Sequence, residues 1–333
     1  MIRHRKYLLS NLQGNSRHNW RNQSQVNKKF ESAGANRFKM EENLNKSIGD
    51  EYTPETLSAH ELFINMGKLG SSPDPALIEG YMNRMINLCD ANEISAKDFA
   101  LLINSLSKIS PSCKQVISEL KRMLRRNHKF AKSFGPIDIS LTLTALARCS
   151  KADPTCKSDS LSVAKRICDE IPLRISLFEN HQLGQLLHAL SSLQYIDEAV
   201  IIEIVKEIEL SRDLNAFNPQ SVIVIASSIS RLQPVSPKHS QLLEGLWESI
   251  QMRVFDFKRN EIQPNWPDVL LTSIAHSGLP RNFMQEGVMN KLVKEMEYQF
   301  QKGLISQQRV SKTIDALDRI GFQIPKDIRL KIK

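Results

Sequence analysis

The residues of this chain that could do chemistry are eight histidines, five cysteines and a dense run of cations. His181 and His188 stand seven apart on what reads as one helix, so they can share a face. No carboxylate or thiolate joins them at a metal-ligand spacing. Cys89, Cys113, Cys149, Cys156 and Cys168 form no CxxC pair. An odd count without a secretory signal reads as free thiols in a reducing compartment, acting as small apolar side chains. There is no Walker loop, no GxGxxG after a strand, no HExxH and no GxSxG. These residues predict a protein that is not an enzyme and takes no metal, cofactor or small-molecule substrate.

The cations are more suggestive. Lys108, Lys114, Lys121, Arg122, Arg125, Arg126, Lys129 and Lys132 stand against the single acid Glu119, a local charge of +7. Val116, Ile117, Leu120 and Leu124 supply the apolar side of an amphipathic helix over 113–132, which crowds the cations onto its exposed flank. Like charges at helical spacing repel one another, so the run calls for a counter-charge. RNA phosphate is the simplest; an acidic protein partner or plain solvation are the alternatives. The formal net charge of +9 is weaker evidence. Residues 1–30 hold seven basic residues and no acid, which leaves the rest of the chain near neutral at +2.

That N-terminal stretch, rich in Arg, Ser, Asn and Gln, has the composition of a mitochondrial presequence and predicts delivery to the matrix. A disordered basic arm is the alternative. Residues 31–52 read as a tether, so 1–52 are expected to stand apart from a helical domain over 53–333. The best apolar run, Val222–Ala226, is five residues, so no membrane partner is expected.

The elements that position these residues show in a repeat. Seven nine-residue windows align without gaps: 61–69, 101–109, 141–149, 185–193, 224–232, 269–277 and 312–320. Their ends are 40, 40, 44, 39, 45 and 43 residues apart. The third and sixth places are apolar in every window, as in Phe63/Met66 and Leu143/Leu146, and form a buried helical stripe. The fifth is small in six windows, which lets a neighbouring helix approach. Breakers such as Gly70-Ser71-Ser72-Pro73, Ser110-Pro111, Asp153-Pro154, Gln233-Pro234 and Leu279-Pro280 follow, then a second amphipathic stretch. Second helices are predicted over 75–89, 113–132, 159–171, 197–210, 239–254 and 282–302, with only a short basic tail, 325–333, in the seventh unit. The fold class is all-α: an α-solenoid of about seven helix–turn–helix repeats with a period of about 40 residues, the length of armadillo or HEAT units.

Places four and eight lie on the face away from the core. Place four carries Asn104, Thr144, His188, Ser227 and Thr272, and place eight carries Lys108, Arg148, Arg231 and Arg319. A short polar group and a cation per unit could contact one base and one phosphate. Cations in a last helical turn are also favoured by the helix dipole alone.

The window pattern, apolar–x–x–small–Leu–small–Lys/Arg–apolar, resembles the octotricopeptide and heptatricopeptide repeat proteins of organelles. The closest matches are LTLTALARC at 141–149 and QLLHALSSL at 185–193. The resemblance spans about 56–333 and implies an α-solenoid that binds organellar RNA, acting in its stability, processing or translation; similar proteins are built into mitochondrial ribosomes. Many such proteins end in a RAP domain. Thirteen residues follow the seventh window here, too few for one, so binding rather than cleavage is expected. The expected partners are mitochondrial mRNA or rRNA and mitoribosomal proteins, with a protein-binding scaffold free of RNA as the alternative.

Overall fold

The computed structural model describes residues 54–69, 74–110, 113–195, 197–232, 240–278 and 283–331. The readings of 1–52 and of the breakers at 70–73, 111, 233–234 and 279–280 lie outside these residues. Among the described residues all regular structure is helical and there is no β-strand. The helices are α1 (Ala59–Lys68), α2 (Pro75–Asp90), α3 (Ala96–Ile109), α4 (Lys114–Arg126), α5 (His128–Lys132), α6 (Pro136–Ala152) and α7 (Lys157–Cys168). They continue as α8 (Asn180–Leu193), α9 (Glu198–Lys206), α10 (Pro219–Ile229), α11 (Ser240–Phe255), α12 (Trp266–His276), α13 (Glu286–Gln301), α14 (Gln307–Arg319) and α15 (Lys326–Lys331). No helix among the described residues is long and apolar enough to cross a membrane.

The seven windows fall on α1, α3, α6, α8, α10, α12 and α14, and these first helices pack on one another in that order. Second helices pack α2 on α4 on α7, and α9 on α11 on α13 on α15. The sixth place is buried in all seven windows. The third is buried in five; Phe63 and Ile314, in the first and last windows, are partly exposed, and among the described residues their helices each pack on one other first helix. The second place, outside the stripe read from sequence, is buried in every window, including Thr142 and Thr313. A helix pressed between two first helices and its own partner buries a wider arc than a single stripe.

Six of the seven first helices start on one device. A buried apolar residue precedes the cap and meets a buried apolar residue in the first turn: Leu57/Leu62, Ile94/Phe99, Phe134/Ile139, Phe178/Leu183, Phe217/Val222 and Ile305/Val310. This is a hydrophobic staple, and it fixes the angle at which the chain enters the helix. The cap between them satisfies amides that the helix leaves unpaired. Ser95 Oγ accepts from the Asp98 amide at 3.1 Å, Asn218 Oδ1 accepts from the Ser221 amide at 2.8 Å, and the Gly135 amide donates to Asp138 Oδ2 at 2.9 Å. α12 departs from the scheme, with its cap Asn265 in the left-handed region at φ 72°.

Cations on or just after four second helices reach back to the segment that leads into the first helix of the same unit. Arg174 donates to the carbonyls of Phe134 and Lys132, both at 2.6 Å, and Arg212 to those of Ser176 (2.9 Å) and Phe178 (3.2 Å). Arg84 grips the Leu57 carbonyl at 2.7 Å, and Lys291 the Phe257 carbonyl at 2.7 Å. Two departures from the sequence reading are local. The 113–132 stretch breaks at Asn127, whose Oδ1 caps α5 by accepting from the Lys129 amide. The basic tail forms a short helix, α15.

Candidate nucleic-acid interface

The cations of the 108–132 run are divided among three helices: Lys108 ends α3, Lys114 to Arg126 lie on α4, and Lys129 and Lys132 on α5. Part of their mutual repulsion is answered within the protein. Lys121 Nζ lies 2.6 Å from Asp159 Oδ1 on α7, and its hydrogen bond holds the Asp159 carboxyl below the usual range. Arg122 pairs with Glu119 at 2.6 Å and with Asp90 of α2, and Arg126 stands 3.9 Å from Asp90. Lys108, Lys114, Arg125, Lys129 and Lys132 are exposed.

Between α4 and α7 runs a groove of about 320 Å³ in which Lys121 and Arg125 face Lys165 and Arg166. Ser162 adds a hydroxyl, Leu124 and Val163 form part of the wall, and Asp169 is the one acid among the lining residues. Lys121 is already paired with Asp159, and Arg125, Lys165 and Arg166 leave the groove with a positive excess of the sign that suits an anion. Lys165 and Arg166 escaped the sequence reading, although they follow Arg125 and Arg126 by 40 residues, one repeat interval. Registering charges by repeat would have found them.

On the first helices, places four and eight meet across units. Arg148 Nη1 donates to Asn104 Oδ1 at 2.9 Å and to Ser107 Oγ at 3.2 Å, one unit back. Arg231 Nη2 lies 3.2 Å from His188 Nδ1, and Arg319 Nη2 lies 3.5 Å from His276 Nε2. Desolvation and the nearby charges of Arg231, Lys151 and Arg148 push the His188 pKa below its ordinary 6.5, so its ring is neutral and accepts from Arg231. Thr144 and Ser227 donate to backbone carbonyls of their own helices, Ser140 at 2.7 Å and Val224 at 3.1 Å. Thr272 Oγ1 lies 3.4 Å from Thr313 Oγ1. A shallow groove of about 480 Å³ gathers His188, Ser227, Arg231 and Thr272 with Arg309 and Lys312. Asp268, buried beneath it, is held by Arg309 at 2.7 Å, and burial raises its carboxyl pKa.

All five cysteines are free and buried. Burial pushes the Cys89 thiol up to about 12 and the Cys168 thiol higher still, so both stay protonated at neutral pH. Among the described residues, no three His, Cys, Asp or Glu side chains are grouped to hold a metal ion. No family model matches the chain, and no curated protein matches it in sequence.

Proposed function

We propose that this chain is a non-catalytic RNA-binding α-solenoid of about seven helical-pair units, working in the mitochondrial matrix on mRNA or rRNA, either in organellar RNA metabolism or as part of the mitochondrial ribosome. The observation that carries the RNA reading is the groove between α4 and α7, where Lys121, Arg125, Lys165 and Arg166 converge with one acid among them. Lys129 and Lys132, on the following helix α5, are exposed as well. The in-order packing of the first helices supports the solenoid, because each unit then buries its two apolar faces only against its neighbours. The composition of residues 1–30 supports the matrix assignment.

The test is fluorescence anisotropy of labelled RNA with the full chain over a salt series. Binding should weaken steeply from about 50 to about 200 mM salt. Arg125→Glu/Lys165→Glu/Arg166→Glu should remove most of it, lowering the slope of log K against log salt by about one per lost contact. An intact protein with no affinity for RNA at low salt would overturn the reading. A protein-binding scaffold is the second reading, favoured by Leu173, Leu177 and Leu210, which stand 78%, 66% and 71% exposed at ends of helical pairs.

A further inference from the structure

Leu210, Phe255 and Tyr298 are 45 and 43 residues apart, the intervals that separate the last three windows, so they occupy one place in three successive units. In the later two units that place is aromatic and open: Phe255 is 54% exposed and Tyr298 37%. Each ring carries a cation. Arg259 lies 4.1 Å from the Tyr298 ring centroid, Lys302 lies 5.9 Å from the same ring, and Lys291 lies 5.5 Å from that of Phe255. Two of these three cations are held in place. Arg259 Nε donates to Oε2 of the buried Glu295 at 3.0 Å, and Lys291 donates to the carbonyls of Phe255 and Phe257 at the end of α11. Between α11 and α13 the surface opens into a groove of about 440 Å³, where Phe255 and Ile262 face Gly287, Asn290 and Lys294. A Cβ at Gly287 would stand in ordinary contact with the Phe255 ring, at 3.6 Å, so a larger side chain there would extend into this groove.

We infer that this α11–α13 edge is a stacking site for single-stranded RNA, separate from the phosphate groove between α4 and α7. A nucleobase stacks on an open aromatic ring or on a guanidinium already stacked on one, and the Phe255 ring and the Arg259–Tyr298 pair offer both surfaces. The outer face of Arg259 stays available because its side chain is 64% exposed while its Nε is tied down. Lys294 and Lys302, both exposed, supply the phosphate contacts, and the Asn290 amide can meet a base edge. The combination of flat apolar faces and cations fits a polyanion with planar groups better than an acidic peptide, which needs the charge but not the faces. A duplex has its bases stacked internally and cannot use the site.

The inference rests on the RNA reading, and the test separates the two. Single-stranded and duplex RNA of equal length are titrated into the full chain and into the Phe255→Ala/Tyr298→Ala variant. Phe255 is 54% and Tyr298 37% exposed, so the variant should stay folded, which its circular dichroism and melting temperature check before the titrations are read. Affinity for the single strand should fall about tenfold or more, with the salt slope unchanged and duplex binding unaffected. Gly287→Leu, which fills the groove and leaves both rings in place, should give a loss in the same direction. Crosslinking through 4-thiouridine should mark peptides spanning 252–259 and 290–302. Unchanged single-strand affinity in both variants, alongside a loss in the α4–α7 charge-reversal variant, would overturn this site and leave RNA binding standing. No RNA binding by the parent chain would overturn both. Crosslinks from this edge to a protein in place of RNA would overturn the site as well.

Discussion

At the scale of single residues, two side chains make separable predictions. The His188 pKa lies below 6.5 in the folded protein, because desolvation and the neighbouring cations disfavour its protonated form. Its contribution to stability is therefore present above pH 6.5 and is lost as the pH falls through the folded value. Between pH 7 and pH 5, thermal melting of the parent chain should drop further than that of His188→Gln, which has no ring to protonate. Arg212 is the second case. It pairs with the buried Glu207 at 2.7 Å and reaches two carbonyls of the segment that leads into α8. Arg212→Ala strands a buried carboxylate and should destabilise by about 2–3 kcal/mol in urea unfolding. The exposed Arg125→Ala should change stability by less than about 0.5 kcal/mol while weakening RNA binding. A similar contrast divides the basic run as a whole: Lys121 and Arg122 are fastened to acids of the protein, while Arg125, Lys129 and Lys132 are exposed.

At the scale of the element, the staple that opens six of the seven first helices should dominate local stability. Phe178 is buried between two units, so Phe178→Ala should cost about 3–5 kcal/mol. Phe63→Ala, at a partly exposed place in the first window, should cost clearly less, and chemical denaturation of the two variants checks the order. The windows were legible because one apolar stripe at helical spacing survives in all seven. The second buried place was not, since Thr142 and Thr313 interrupt its apolar character. The staples were hidden for a related reason: each pairs residues on either side of a cap, across the change from extended chain to helix. Of the candidate site, the crowd of cations on α4 could be read directly. Its internal partners could not, because Asp90 and Asp159 arrive from other units through packing alone. Arg148 and Asn104, read as separate contacts for a ligand, turn out to bond to each other.

At the scale of the whole molecule, charge and address are separate matters. The seven basic residues of 1–30 are proposed to direct import, so a fluorescent fusion lacking residues 1–52 should stay outside mitochondria. The same 53–333 protein should keep the helical circular dichroism of the full chain per folded residue, and should bind RNA with nearly the same affinity. Retained import without residues 1–52 would count against the matrix assignment.

The cationic straps have a consequence for how the protein is made. Arg84, Arg174, Arg212 and Lys291 each reach to carbonyls earlier in the chain, by between 27 and 42 residues. During synthesis, each anchor leaves the ribosome before the side chain that will grip it. The helical pairs can then consolidate in the order of translation, each second helix, once made, locking the entry of its own first helix. Ribosome-bound chains stalled just after Arg212 has emerged should already protect the 134–178 region from protease, whereas chains stalled before Arg174 should not.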